Sequence, residues 1–253
     1  MADEKQRSRW LAWEGALNAR DLGGYPTADG WQTRWGAAVR SDDPARLTAA
    51  GRSALVDYGV RSIVDLRGPK EIDESPEPFA EPGPHGIAYT HVPFIDPHAG
   101  PAPAFTTLAD DYKGMLDRFN QQVAAIVRAI ARAPEGGVLI HCAGGKDRTG
   151  IISALLLDLA RVPRQTIGAD YALSVEYFHA TREEWLANGP GDRAAREAEL
   201  AKYLPRAEVM LEVLAHLDER YGGVEAYLLR TGVMPQEIAR LRERLRGARG
   251  LGG

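Results

Sequence analysis

The stretch VLIHCAGGKDRTG, residues 138–150, decides how the chain is read. Residues 138–141 form a short apolar run of buried-strand type, and TGIISALLLDLARV, residues 149–162, has the composition of a buried helix. Between them lies the loop AGGKDR, which leaves five residues between Cys142 and Arg148. Cleavage of a phosphate ester by a thiolate needs this arrangement. Backbone N–H groups of such a loop, here those of Ala143, Gly144 and Gly145, join the N-terminal end of the following helix in a cradle for a phosphate dianion. The curl of the loop brings Arg148 back beside Cys142, where a guanidinium clamps two phosphate oxygens better than a lysine does.

The other loop residues fall into place around that pair. The same positive potential favours the thiolate of Cys142 at neutral pH, so the nucleophile needs no partner base. Gly144 and Gly145 let the backbone approach the phosphate. Thr149 is placed to hydrogen-bond the sulfur, and His141 to orient the loop through its backbone. Lys146 adds a second cation, either for a highly charged head group or as a solvated partner of Asp147.

Three other readings of Cys142 compete. A lone cysteine at the end of a strand is commonly inert core, but the glycines and KDRTG beside it argue against that. A nucleotide-binding loop fails on spacing, since residue 140 is Ile and residue 147 is Asp. Redox sensing would lack a second cysteine to resolve the oxidised sulfur.

Outward from the loop, the pattern is α/β. Residues 18–36 read as loops with short strands, 47–60 as a short helix, and RSIVDLR (61–67) as a buried strand. Prolines and carboxylates mark 68–86 as a surface loop, and IAYTHVPFI (87–95) as the next strand. Leu108, Tyr112, Met115, Phe119, Ile126 and Ile130 share one face of a predicted helix over 105–133. Helices are predicted over 162–187, 193–223, 224–232 and 234–247, with a hinge at NGPGD (188–192). The expectation is one domain, 1–253, with a central sheet flanked by helices and extra helices at the C-terminal end.

Composition narrows the classes further. With 44% hydrophobic and 26% charged residues the chain is of ordinary globular type. A net charge of −4 gives no overall basic field to hold nucleic acid or anionic membrane. Cys142 is the only cysteine, which excludes an internal disulfide and points to a reducing compartment or a reactive thiol. The opening MADEKQRSRW leads into no apolar segment. IISALLLDLA is far shorter than the roughly 20 residues that span a bilayer. A soluble, cytoplasmic protein is expected, with export by a route lacking a signal peptide left open. The oligomeric state is not legible.

HCAGGKDRTG (141–150) resembles the HCxxGKDRT loop of atypical bacterial protein-tyrosine phosphatases of the PtpB-like type. LNARDLGGY (17–25), IVDLRGPKE (63–71), DYALS (170–174) and YGGVEAYL (221–228) resemble further elements of that family, extending the likeness over about 17–245. The resemblance implies the phosphatase α/β fold, no metal and no cofactor. It implies a phosphorylated protein as substrate, at tyrosine or also serine and threonine, with phosphoinositides as an alternative, and a loop that takes phosphate or sulfate. It also implies a helical lid over 175–205, although Tyr177, Trp185 and Tyr203 read equally well as packing residues. A phosphate-binding pseudophosphatase is the non-catalytic alternative, and the intact Cys142, Asp147, Arg148 and Thr149 argue against it.

Three aspartates compete to protonate the leaving group. Asp147 lies in the loop and is favoured by the resemblance. Asp65, ending its strand with Arg67 two residues on, stands second. Asp96, before Pro97, stands third and reads equally as the start of a turn.

Overall fold

The structure, a computed structural model, describes residues 7–81, 86–101, 104–188 and 191–249. Its strands are β1 (Arg20–Asp21), β2 (Trp31–Thr33), β3 (Ala38–Ser41), β4 (Val60–Asp65), β5 (Ala88–His91), β6 (Gly137–His141) and β7 (Arg246–Arg249). Five of them form a sheet in the order β1-β3-β6-β4-β5, parallel except for β1 at one edge. β6 lies at the centre and is buried at every position. A strand covered on both faces has no solvent side to make polar, which is why VLI reads as an unbroken apolar run.

Successive residues of β6 point to opposite faces, and the core divides accordingly. Val138 and Ile140 join a large cluster with Ile126, Ile130, Leu155 and Leu217, while Leu139 joins a smaller one with Trp13, Val39, Leu55 and Ile63. Each fully buried side chain of this size contributes about 1.5–3 kcal/mol. The strand is thereby fixed in register, and whatever follows His141 is presented at the C-terminal edge of the sheet, where open α/β folds bind ligands.

The helices are α1 (Ala49–Asp57), α2 (Pro69–Glu74), α3 (Leu108–Arg118), α4 (Asn120–Arg132), α5 (Asp147–Leu159), α6 (Arg164–Ala172), α7 (Val175–Asn188), α8 (Arg193–Lys202), α9 (Ala207–Tyr221), α10 (Val224–Arg230) and α11 (Pro235–Leu245). Three long predicted helices are each two. The one over 105–133 breaks at Phe119, whose ψ of 32° leaves the helical region, so that α3 packs on α9 and α4 on α11. The one over 162–187 breaks where Ser174 turns into the interior, and the one over 193–223 breaks at Pro205, which cannot continue a helix. The predicted surface loop 68–86 contains α2, started by Pro69 in its first turn and by Glu71, which accepts the Gly68 amide at 2.7 Å. β7, paired antiparallel with β2, has no counterpart in the sequence reading. The expected hinge falls partly outside the described residues, at 189–190. No described helix is long and apolar enough to cross a membrane.

Candidate active site

The loop after β6 feeds directly into α5, whose first residue is Asp147, two positions earlier than the sequence pattern suggested. Cys142 is buried, with 2% of its surface exposed, at the base of the loop. The amides of Ala143, Gly144, Gly145 and Lys146 donate to no described residue, and the first amides of α5 are unpaired by helix geometry. A helix start, a run of free N–H groups and a thiol therefore converge on one spot. Gly145 is required there by contact as well as by its φ of +64°, because a Cβ would lie 2.4 Å from the Ser41 carbonyl oxygen. At Gly144 a Cβ would come within 2.9 Å of the Tyr177 ring, which rests against the loop from α7.

Arg148 is held by a residue the sequence reading passed over. Its Nη1 and Nη2 donate to the two carboxylate oxygens of Glu71 at 2.6 and 2.7 Å. Burial weakens the guanidinium's hold on its proton, but Cys142 and Glu71 more than offset this and leave it more firmly charged than a free arginine. Glu71 engages only the outer edge of the fork and leaves the Nε side open to an oxyanion. Its position as third residue of a Pro-started helical turn, PKE, was the available signal.

Asp147 accepts a hydrogen bond from the Tyr112 hydroxyl, which in turn lies 2.8 Å from the Tyr171 hydroxyl, and Lys146 Nζ stands 3.2 Å from Asp147 Oδ1. Asp111 lies close by. Its own burial and the charge of Asp147 push its carboxyl up to about 6. Lys146 is nearly buried and donates to the Tyr203 carbonyl at 2.8 Å. Thr149 is buried, and its hydroxyl finds no hydrogen-bond partner among the described residues, the Cys142 thiol included. Lys146, Asp147, Gly144, Tyr177, Trp185 and Tyr203 together line a cavity of about 420 Å³, so the aromatics of α7 and the end of α8 face the loop instead of a separate core.

The other two aspartates are committed elsewhere. Asp65 is fully buried, with Arg67 Nε 3.1 Å from each of its carboxylate oxygens and Arg67 Nη2 at 2.8 Å; it also accepts from the Tyr89 hydroxyl at 3.0 Å. Against its burial, these bonds hold its carboxyl below the usual range, the reverse of what a proton donor needs. Asp65 therefore stands in an ion pair with Arg67. Asp96 accepts the His98 amide at 2.9 Å and starts a turn.

Behind Cys142 lies His141, fully buried, with Nδ1 3.4 Å from the Cys142 carbonyl and Nε2 3.4 Å from Glu77 and 3.6 Å from Asp65. Asp43, Glu77 and His141 come together there, but Arg67 already supplies the cation, at 2.8 Å from Asp43. Burial and the charge of Asp65 raise Glu77 to about 7, and burial lowers His141 to about 4. The signs oppose each other. Glu77's contribution to stability is complete below its ordinary 4.5 and is lost as pH rises through 7; His141's is complete above 6.5 and is lost as pH falls through 4. Glu77→Gln removes the first alone. The stability of the variant relative to the parent should therefore rise between pH 5 and pH 8, by roughly 3 kcal/mol at most. Thermal midpoints across that range check it, and curves that run parallel would refute it.

A model of the tyrosine phosphatase family matches residues 11–247. The chain belongs to that family. It is 36% identical over 222 residues to a tyrosine-protein phosphatase of Nostoc commune, covering 83% of this chain and 74% of that one. It is 28% identical over 274 residues to the triple specificity protein phosphatase PtpB of Mycobacterium tuberculosis, covering 92% and 98%. The resemblance carried by the loop and its four companion motifs therefore holds for the chain as a whole: this is a tyrosine phosphatase of the PtpB-like bacterial type, a hydrolase acting on phosphorylated substrate.

Proposed function

We propose that hydrolysis of phosphotyrosine by this chain runs through a phosphocysteine on Cys142. The observation that carries the reading is the shared loop of Cys142 and Arg148, with unpaired amides on one side and the start of α5 on the other. The phosphoryl dianion sits on the amides of residues 143–146 with Arg148 across two oxygens. The Cys142 thiolate attacks phosphorus, and the bond to the aryl oxygen breaks as that oxygen takes a proton from Asp147. Water then attacks phosphorus, giving its proton to the Asp147 carboxylate, and the sulfur leaves as thiolate with inorganic phosphate released. Asp147 stands in the loop itself, beside Arg148 and at the first turn of α5, which supports it in this role. Thr149, with an unused hydroxyl beside the loop, is available to the departing sulfur. The chain acts as one domain, with α7 and α8 as a cover over the loop. The single thiol suits a reducing compartment, the cytoplasm.

Lys146 bears on the substrate. Its ammonium is already shared between the Tyr203 carbonyl and Asp147, which favours phosphotyrosine over a polyphosphorylated inositol head group. Phosphate release from a phosphotyrosine peptide, a phosphoserine peptide and a short-chain phosphoinositide tests this, and faster release from the lipid would reverse the preference. For the acid, Asp147→Asn should slow phosphotyrosine hydrolysis about 10²–10³-fold and flatten the basic limb of its pH profile, yet spare an activated aryl phosphate whose leaving group needs no proton. Equal losses on both substrates would make Asp147 structural.

A further inference from the structure

Three consecutive carbonyls of the loop are held from outside the pocket. The Asp43 amide donates to Ala143 O at 3.0 Å, Asn18 Nδ2 to Gly144 O at 2.9 Å, and Arg40 Nη2 to Gly145 O at 2.8 Å. In a planar trans peptide the C=O of one residue and the N–H of the next point in opposite directions. Holding those carbonyls outward therefore turns the amides of Gly144, Gly145 and Lys146 inward, and these are among the amides that donate to no described residue.

The side chains that do the holding are themselves fixed on one carboxylate. Asp170 takes Arg20 Nε at 3.1 Å, Arg40 Nη1 at 2.7 Å and the Tyr25 hydroxyl at 2.9 Å. Arg20 also donates to the side-chain oxygen of Asn18, to the Asp170 carbonyl at 2.8 Å and to Ser174 Oγ at 3.1 Å. The Asn18 amide is taken by Asp42 at 3.0 Å. Asn18, Arg20, Arg40, Asp42 and Ser174 are completely buried, and Asp170 all but completely. These contacts join the motifs LNARDLGGY and DYALS, 150 positions apart at Arg20 and Asp170, directly beneath the loop.

We propose that Asn18 and Arg40 are positioning residues that lock the phosphate loop with its amides inward, and that Asp170 is the anchor on which both depend without meeting substrate. The proposal rests on the reading of the loop as the phosphoryl site. Arg40 spends one arm of its fork on Asp170 and the other on Gly145 O, a division that a lysine ammonium does not reproduce. Charge alone is therefore insufficient, which separates positioning from a general electrostatic effect.

The test uses tungstate binding to the full chain carrying Cys142→Ser, which needs no turnover. Adding Asn18→Ala should weaken tungstate about tenfold, the scale of one hydrogen bond, and adding Arg40→Lys should weaken it further. In chains that keep Cys142, the same substitutions should lower kcat for an aryl phosphate more than they raise KM, because loop geometry matters most in the transition state. A purely structural role would lower the thermal midpoint and leave the affinity of the folded protein alone. Tungstate affinities within twofold of the Cys142→Ser parent for both variants would overturn the proposal, whatever their midpoints. Failure of the parent itself to bind tungstate would overturn the loop as an oxyanion site and this proposal with it. Binding that persists in a chain hydrolysing nothing would sink the phosphocysteine route alone, and the comparison of variants would still decide between positioning and structure.

Discussion

Cys142→Ser is expected to abolish phosphate release, by roughly 10⁵–10⁶-fold on the scale of nucleophile deletions, while the protein stays folded and still binds phosphorylated ligand. The two side chains are nearly isosteric, so the buried position, 2% exposed, is filled as before. The serine hydroxyl, in contrast, has no base to ionise it. His141 is pointed the wrong way for that task, with Nδ1 toward the Cys142 carbonyl and Nε2 toward Glu77 and Asp65. Binding should hold or tighten, since a thiolate and a phosphate dianion repel each other and the variant removes one of the two charges. Concretely, the variant should retain a phosphotyrosine peptide that the parent converts and releases. Saturating ligand at about 100 times its dissociation constant should then stabilise the variant by about 2.7 kcal/mol. Residual turnover above a thousandth of the parent would mean that another group attacks phosphorus, and the covalent route would fall.

The central strand, the loop and the helix after it were legible because their signals are local. An unbroken apolar run, two glycines and a Cys and Arg at fixed spacing need no knowledge of the rest of the chain, and the parallel sheet around β6 follows from burial on both faces. Helix ends were less so. Phe119 carries no Gly or Pro to mark a break, and the break shows only in its backbone and in the different partners of α3 and α4. The candidate site divides the same way. Cys142, Arg148 and Asp147 stand in one segment, whereas Glu71 lies 77 positions from the arginine it holds, inside a stretch whose prolines and carboxylates resemble solvent-exposed loop. Asp65 shows the converse difficulty. A carboxylate at the end of a strand beside the pocket looks available in one dimension, but Arg67, two residues on, folds back and consumes it. Asn18 and Asp170 were visible as motif residues and Arg40 was not, and the contacts that give them a task span 105 to 150 positions.

Arg148→Lys is the second large effect, expected to lower kcat/KM about a thousandfold. The native guanidinium meets Glu71 through both terminal nitrogens and keeps its inner edge for phosphate, so one rigid plane is fixed on one side and binds on the other. A lysine ammonium is a point charge on a flexible stem. Drawn to Glu71, it leaves the phosphate without its two parallel donors; drawn to the phosphate, it abandons Glu71, whose half-buried carboxylate is then left with the Gly68 amide and no cation. The loss should fall mainly on kcat, because the free loop amides still hold the ground-state dianion while the charge spread over the equatorial oxygens in the transition state loses its fork. Glu71→Gln separates holding from charge: it keeps one acceptor for the arginine, and should cost only about tenfold. If Glu71 instead obstructed the site, the same substitution would raise kcat/KM, and the sign of that one measurement decides whether Glu71 supports Arg148 or competes with the substrate for it.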